Sequence, residues 1–293
     1  YHYIVPEFDP DQSFSLRSTK IIDEFLEAQS LGISTRPVLL GPVSFLLLGK
    51  AVAGDIEPIE LIDRLLPVYL QVLSRLAQAG AEWVQIDEPV LALELPETGM
   101  TAFRAAYQSL TRRQERPDIC LTTYFGDVSD KLALLGELAF EAVHLDLVRA
   151  PQQLDTALKV LGETTHLSLG LVNGRNIWKT ALAAALDKAE QALDRVGPER
   201  LIIAPSCSLL HCPVDLQREE ELAEPLKQRL AFATQKLGEL SLLKTALADG
   251  REAVKAKLRR AELSDALSEK IEVLEEVADI YESRIRRTAG AIQ

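Results

Sequence analysis

The sequence predicts an α/β fold: a (β/α)8 TIM-like barrel that lacks its first strand and carries a C-terminal helical extension. Short apolar runs rich in β-branched residues alternate with long segments of helical period, the pattern of βα units around a parallel sheet. Seven runs have this character, one fewer than a closed eightfold barrel needs, and no helix precedes the first of them. The predicted strands are residues 3–6, 37–40, 83–87, 119–124, 142–147, 167–172 and 201–205.

Two of the intervening segments have clear helical periodicity. The first ends at Gly80 and has an apolar stripe with spacings of mostly three and four: Ile62, Leu65, Leu66, Tyr69, Leu73 and Leu76. The second follows the sixth predicted strand, with Asn176 as its expected N-cap and Gly197 as its stop. Its inner face is predicted to be Leu182, Leu186, Ala189 and Leu193.

The C-terminal part of the chain has a different pattern of apolar and charged residues from the barrel. Residues 219–247 read as helical, with Pro225 tolerable only near the start of the main helix. Residues 251–287 have one narrow apolar stripe among many charges, which predicts a long exposed helix. That helix either packs on its own barrel or connects to a second domain. We therefore expect a partial barrel at 1–247 and a helical connector at 248–293.

Composition excludes several classes of partner. The 293 residues include 32 basic and 44 acidic side chains, and the net charge of −12 disfavours binding to nucleic acid or to anionic lipid. No apolar run approaches the roughly 20 residues that span a bilayer. Cys120, Cys207 and Cys212 are odd in number and have no framework spacing, which indicates a reducing compartment, the cytoplasm by default.

Polar residues at the ends of barrel strands are the first candidates for function, because those ends form the active face. Asp87 and Glu88 follow the third predicted strand and precede Pro89. Adjacent residues on a strand point to opposite faces, so both can reach a ligand only at the strand end. The alternative is that one carboxylate holds a loop or a helix N-terminus.

The fourth and fifth predicted strands also end in polar residues. Thr122 and Tyr124 offer hydroxyl groups, which can orient a ligand but are poor zinc ligands. His144 and Asp146 are two apart and share a face. A lone histidine in such a strand is more often a satisfied core residue than a catalyst.

The loop after the seventh predicted strand is the richest in reactive side chains. It reads PSCSLLHCP from residue 205 to 213 and contains Ser206, Cys207, His211 and Cys212. Adjacent histidine and cysteine rarely close on one tetrahedral zinc, and the chain has no further CxxC or HxxxH partner. We therefore predict no metal site and no catalytic nucleophile in this loop.

Four motifs together carry a resemblance to a known family. They are YHYIVPE at 1–7, QIDEP at 85–89, TTYFG at 122–126 and SCSLLH at 206–211. In this order and spacing, they resemble the amino-terminal half of cobalamin-independent methionine synthase. The match covers most of the chain and fades after Gly250.

The resemblance implies a protein of two similar barrels joined by a connector. In that family the second barrel holds the zinc, homocysteine and the methyl-folate headgroup, and the first contributes basic residues that bind the polyglutamate tail of the folate. Those basic residues are expected upstream of Tyr1. The full-length enzyme would transfer a methyl group from 5-methyltetrahydrofolate polyglutamate to homocysteine, whereas this chain alone would be inactive. Its expected partners are the second barrel and folate polyglutamate.

The sequence departs from the family's metal site. By barrel equivalence, Thr122 and Tyr124 stand where the second barrel has a histidine and a cysteine, Asp146 is near the third ligand position, and Cys207 is the only soft group left. We therefore expect no catalytic residue, metal or cofactor in this chain, with zinc held by the second barrel. The residues expected to bind substrate are Asp87, Glu88, Tyr124, Ser206 and His211.

Two other functions remain open at this stage. One is a noncatalytic scaffold module that orients the second barrel, which folate-polyglutamate binding by the chain would argue against. The other is a free-standing methyltransferase of a related, uroporphyrinogen decarboxylase-like barrel family. It would need a complete barrel and its own catalytic set.

Overall fold

The structure is a computed structural model, and it describes residues 4–52, 54 and 56–255. The strands are β1 (Glu7–Phe8), β2 (Val38–Leu40), β3 (Lys50–Ala51), β4 (Trp83–Asp87), β5 (Asp118–Thr122), β6 (Ala142–Asp146), β7 (His166–Val172) and β8 (Leu201–Pro205). The α-helices are α1 (Lys20–Ser30), α2 (Pro42–Leu47), α3 (Ile62–Gln78), α4 (Glu97–Thr111), α5 (Leu132–Glu137), α6 (Gln153–Val160), α7 (Leu182–Val196), α8 (Glu224–Lys227) and α9 (Ala233–Asp249). Strands and helices therefore alternate along most of the chain.

Six strands form one sheet in the order β2-β4-β5-β6-β7-β8, and the pairs β2–β4, β4–β5 and β5–β6 are parallel. Sequential order with a helix between successive strands is the arrangement of a (β/α) barrel. The predicted fold class is confirmed, and six of the seven predicted strands belong to this sheet with bounds within two residues. Within the described residues the sheet falls short of eight strands, as an incomplete barrel requires.

The first predicted strand, at 3–6, is wrong. Strand β1 begins at Glu7 and pairs in parallel with β3, in a separate two-stranded sheet. Pro6 has no N–H to give to a ladder, and its carbonyl accepts the Lys50 N–H at 2.9 Å. Phe8 lies edge-on to Phe14 and Phe45, with ring centroids 6.0 and 5.6 Å apart. This small sheet is thus held by an aromatic cluster of its own.

The predicted helix with the stripe from Ile62 to Leu76 is confirmed as α3. The second helix needs a correction, because α7 begins at Leu182 and Asn176 does not cap it. The side-chain oxygen of Asn176 instead accepts hydrogen bonds from the Trp178 N–H at 3.3 Å and from Lys236 Nζ at 3.1 Å. Residues 219–247 are helical only in part: Pro225 lies in the first turn of the short α8, not at the start of the main helix, which is α9 from Ala233.

The chain divides into two compact units. The first comprises Tyr1–Leu169 with Arg195–Ile202, and the second comprises Gly170–Asp194 with Ile203–Gln293. The predicted boundary between 247 and 248 stays a prediction. Most of the predicted connector helix, residues 256–287, lies outside the described residues. None of the described helices is long and apolar enough to cross a membrane.

Each unit has its own packed core. In the first, Tyr107 contacts Phe103 and Phe140 with ring centroids 4.5 and 5.3 Å apart, and all three rings are buried. In the second, a cluster of five buried residues packs with Ile177 and Trp178. The five are Leu216, Leu222, Leu226, Leu230 and Phe232.

Candidate functional site

The carboxyl ends of three neighbouring strands in the first unit carry a row of polar residues. In the parallel register, Asp87 of β4 lies opposite Thr122 of β5, and Thr122 lies opposite His144 of β6. Strand β4 alternates between fully buried Val84 and Ile86 and half-buried residues that include Asp87. Asp87 therefore lies on the less buried face of β4, whereas Thr122 and His144 are buried, and all three lie at the end of the sheet where barrel proteins bind ligands.

Asp87 is held by two donors within this row. The Tyr124 hydroxyl donates to Asp87 Oδ2 at 3.1 Å, and Gln85 Nε2 donates to Asp87 Oδ1 at 2.8 Å. Gln85 is in turn oriented by Arg36, whose Nη2 donates to Gln85 Oε1 at 3.1 Å. Burial raises the pKa of Asp87, and the two hydrogen bonds and the Arg36 charge partly offset that rise. Each carboxylate oxygen accepts one of these bonds and retains acceptor capacity for a ligand donor.

Glu88 has a different environment from its neighbour. Its side chain is fully buried, and four groups donate to its carboxylate. Oε1 accepts from the Val43 N–H at 3.2 Å and the Tyr107 hydroxyl at 2.7 Å, and Oε2 accepts from the Ser44 N–H at 2.7 Å and the Ser44 hydroxyl at 2.5 Å. Burial raises the pKa of Glu88 despite these bonds. The carboxylate holds the first turn of α2, so the geometry favours the structural alternative for Glu88 over substrate binding.

Gly41, which precedes α2, is required by this arrangement. A Cβ atom built on Gly41 would lie 2.1 Å from Glu88 Cδ. The φ of Gly41 is −67°, so close approach of the carboxylate, not backbone strain, explains the glycine.

Half-buried Tyr124 and exposed Phe125 form an aromatic pair after β5, with ring centroids 4.5 Å apart. Phe125 has a φ of +77°, a left-handed conformation that costs a non-glycine residue about 1–2 kcal/mol. Asp146 compensates, because its Oδ2 accepts the Phe125 N–H at 3.0 Å. Asp146 Oδ1 accepts the backbone N–H groups of Val148 at 3.0 Å and Arg149 at 2.9 Å. Both oxygens of Asp146 are therefore engaged in fixing two loops.

His144 has the environment of a core residue. It is buried, and its Nδ1 lies 2.9 Å from the Ser168 hydroxyl. Its backbone carbonyl accepts from the Thr123 hydroxyl at 2.9 Å. These contacts support the core interpretation of this histidine over a catalytic one.

The remaining predicted site residues, Ser206 and His211, belong to the second unit. Ser206 is buried and its hydroxyl accepts the Gly174 N–H at 3.2 Å. His211 is exposed at the end of a 3-10 turn that Ser208 caps by accepting the Leu210 N–H at 3.2 Å. Asp87 and Tyr124 therefore contact each other in the first unit. Ser206 and His211 lie in the second unit. Their roles in substrate binding stay predictions.

The cysteines of the second unit pack closely around Gly174. A Cβ atom on Gly174 would lie 2.8 Å from Cys207 Sγ, and Cys212 Sγ donates to the Gly174 carbonyl at 3.1 Å. Burial raises the pKa of Cys212, which disfavours a reactive thiolate there. Within the described part of the chain, no group of three histidine, cysteine or acidic side chains could hold a metal ion.

Sequence reasoning missed Lys236, a fully buried residue of α9. Its Nζ donates to Asn176 Oδ1 at 3.1 Å and to the Trp178 carbonyl at 3.0 Å. Burial lowers the pKa of Lys236, and the Glu239 carboxylate partly restores it. The helical period of α9 was the available signal, because Lys236 shares a face with Leu243 at a spacing of seven.

Taken together, the sequential parallel strands and the polar row at their carboxyl ends define a (β/α)-barrel domain of the kind that builds ligand sites on its strand ends. The family model described as "Cobalamin-independent synthase, N-terminal domain" matches residues 1–197. The chain belongs to this family.

Two relatives are similar to this chain over most of its length. A protein of Caulobacter vibrioides named 5-methyltetrahydropteroyltriglutamate–homocysteine methyltransferase is 50% identical over 258 residues, covering 88% of this chain and 33% of the relative. A protein of the same name from Xylella fastidiosa is 53% identical over 253 residues, covering 86% of this chain and 33% of its own length. The chain therefore spans about a third of the length of these relatives.

Solved structures support the fold at low sequence identity. A B12-independent methionine synthase from Shewanella sp. W3-18-1, in complex with selenomethionine, has a TM-score of 0.55 and 13% identity, covering 85% of this chain and 71% of that chain. A putative vitamin-B12-independent methionine synthase from Listeria monocytogenes has a TM-score of 0.52 and 18% identity, covering 70% and 67%. At these identities the likeness concerns the fold alone.

Proposed function

We propose that this chain is the amino-terminal, folate-side barrel of a cobalamin-independent methionine synthase. In the whole protein, the reaction is transfer of the methyl group of 5-methyltetrahydropteroyltriglutamate to the sulfur of homocysteine. The observation that carries the proposal is the sequence identity of 50%, over 88% of this chain, with a 5-methyltetrahydropteroyltriglutamate–homocysteine methyltransferase. The match covers 33% of that relative. The two substrates and the second barrel are the partners that this proposal requires.

This barrel's own residues do not suit a catalytic zinc. Zinc prefers thiolate and imidazole ligands, whereas the positions that resemble the family's ligands here are Thr122, Tyr124, Asp146 and Cys207. The Tyr124 hydroxyl is engaged with Asp87, and both Asp146 oxygens accept backbone N–H groups. We therefore assign the zinc, and activation of the homocysteine thiol, to the second barrel, and no chemical step to this chain.

Substrate contact in this barrel is assigned to the polar row. Asp87, with its spare acceptor capacity beside Tyr124, is the group best placed to accept a hydrogen bond from a ligand donor. Ser206 and His211 remain candidates for the same role. None of the three cysteines, all within the described residues, is in a disulfide, which supports a cytoplasmic location.

The proposal is tested with two proteins purified in the presence of zinc: this chain, and the intact gene product that contains it. We expect the intact protein to bind zinc and to form methionine from homocysteine and 5-methyltetrahydropteroyltriglutamate. The chain alone should show neither turnover nor one equivalent of zinc. Zinc retained by the chain and lost on Cys207→Ser, or turnover by the chain, would overturn the assignment.

The scaffold alternative makes a separate prediction. A module that only orients the second barrel would leave folate affinity unchanged when its polar row is altered. We expect Asp87→Asn in the intact protein to raise the KM for the folate substrate. An unchanged KM for folate together with weakened association of the two barrels would favour the scaffold.

A further inference from the structure

The outward face of helix α9, in the second unit, is uncharged although the helix contains charged side chains. Lys236 and Glu239 are both buried: Lys236 donates to Asn176, and Glu239 accepts from the Thr180 hydroxyl at 2.7 Å. A helix that faces water normally has the reverse arrangement, with charged side chains outside and apolar ones inside. The exposed positions in the first half of α9 are Thr234, Leu237, Gly238 and Ser241.

Helix α7 of the same unit has the usual arrangement. Its buried side chains are apolar and include Leu182 and Leu186, and its exposed side chains include Asp187 and Asp194. The uncharged outward face is therefore particular to α9 and does not reflect the composition of the unit. A helix that presents little charge on any side is typical of one that other polypeptide covers.

The loop after β8 presents two further apolar side chains next to this face. Leu210 is 82% exposed and Val214 is 66% exposed, and Leu237 of α9 is 55% exposed. The Val214 carbonyl accepts the Thr234 N–H at 3.0 Å and the Thr234 hydroxyl at 2.9 Å, which places the loop against the first turn of α9. Leu237 follows Thr234 at a spacing of three and shares its face of the helix. We refer to Leu210, Val214 and Leu237 as the apolar ridge.

Hydrogen bonds fix the backbone of the loop that carries the ridge. The Ser208 hydroxyl accepts the Leu210 N–H at 3.2 Å, and the Leu209 carbonyl accepts the Cys212 N–H at 3.0 Å. Cys212 Sγ donates to the Gly174 carbonyl at 3.1 Å. Because this backbone is already held in place, binding a partner on the ridge costs little conformational entropy. Apolar side chains exposed together on such a surface indicate a protein interface.

We propose that the apolar ridge and the uncharged face of α9 bind the second barrel of the longer protein. The inference rests on the proposed function only in that this chain is one part of that protein. The two relatives are matched over 33% of their length, so about two thirds of such a protein lies outside this chain. Folate and homocysteine carry carboxylates that require charged or polar donors, and the three ridge side chains offer none. A protein surface depleted of charge is the partner that fits.

Hydroxyl-radical footprinting compares the solvent exposure of the same side chains in the chain alone and in the intact gene product. We expect the three ridge side chains to be oxidised in the chain and to lose that reactivity in the intact protein. Leu237→Asp in the intact protein should restore oxidation of Leu210 and Val214, because an unpaired carboxylate in an interface is unfavourable. Ala184→Asp places the same charge on the exposed face of α7 and is the matched control, which should leave the protection unchanged.

Equal oxidation of the ridge in the chain and in the intact protein would overturn the inference. Protection in the chain alone that increases with its concentration would also overturn it, because the occupant would then be a second copy. So would protection in the intact protein that survives Leu237→Asp. Methionine formation by the same intact protein is measured in parallel, and its absence would contradict the proposed function whatever the footprint shows. The failure of the inference and that of the function are thus distinguishable.

Discussion

Substituting Glu88 by glutamine tests the helix-holding role of this buried carboxylate. The carboxylate accepts four hydrogen bonds, from Val43 N, the Tyr107 hydroxyl, Ser44 N and the Ser44 hydroxyl. An amide has one oxygen and one NH2 group, so in either orientation its NH2 faces one of the two backbone N–H donors. The hydroxyl groups can rotate to accept, but a backbone N–H cannot.

The expected loss follows from that count. One buried N–H without an acceptor costs about 1–3 kcal/mol, and the contact between the amide NH2 and a rotated hydroxyl group does not supply that acceptor. We expect Glu88→Gln to lower the free energy of unfolding of the first unit by this amount at pH 7. Urea titration followed through Trp83, in a Trp178→Phe background, reports that unit alone, because the chain contains only 2 tryptophans. Glu94→Gln, which removes an exposed carboxylate, is the control and should change the free energy by less than about 0.5 kcal/mol.

The pH dependence of the free energy of unfolding provides a second test of the same substitution. Burial raises the pKa of folded Glu88 above the unfolded value of 4.5. Between the unfolded and folded pKa values the folded protein binds more protons, so the stability of the unmodified protein relative to Glu88→Gln should fall as pH rises through that window. A rise in that difference, or a loss of stability no larger than that of Glu94→Gln, would refute the reasoning.

Three further comparisons of variants test other parts of the structure. Gly41→Ala should destabilise the first unit by about 1–3 kcal/mol in the same urea assay, through its clash with the buried carboxylate. Gly238→Ala, with open space around it in helix α9 of the second unit, should stabilise that unit by about 0.5–1 kcal/mol in a urea titration followed through Trp178 in a Trp83→Phe background. Phe125→Gly should be more stable than Phe125→Ala by about 1 kcal/mol, since alanine keeps the strained φ; equal thermal midpoints would contradict the strain. Burial lowers the pKa of Lys236 in the folded protein below the unfolded value of 10.5, so the folded protein binds fewer protons in that window. The free energy of unfolding of the unmodified protein relative to Lys236→Met, followed through Trp178, should therefore rise as the pH approaches 10.5. A difference in free energy that does not change with pH would show that the lysine is not desolvated.

The sheet could be predicted from sequence because its strands carry apolar runs, and β4, β5, β6 and β7 are buried on at least one face. The five strands from β4 to β8 match their predictions for this reason. The failure at residues 3–6 has a local cause: the run looked like a strand, but Pro6 cannot donate to a ladder and the chain pairs only after it. An apolar run shows that a segment is extended and does not show which strand it pairs with.

The parts of the site that escaped prediction depend on contacts between distant residues. Nothing in the TTYFG motif distinguishes Phe125 as the residue with positive φ, since Gly126 is the natural candidate for that conformation. The left-handed turn is fixed by Asp146, 21 positions further on. The residues around Asn176 predict a helix cap, but its side-chain oxygen accepts a hydrogen bond from Lys236, 60 positions away. Such roles follow from the tertiary structure rather than from local propensity.

The adjacent carboxylates Asp87 and Glu88 illustrate how one step along the chain separates two roles. Asp87 is the last residue of β4 and keeps the strand's alternation, so its side chain lies on the same face as Gln85, beside Tyr124. Glu88 follows with φ −119° and ψ 70°, and its carboxylate is buried at the first turn of α2. Strand periodicity predicts that the two side chains diverge, but the burial of one of them is decided by the helix that packs there. A charge change at Asp87 should therefore act on ligand affinity with little effect on stability, and the same change at Glu88 should act on stability first.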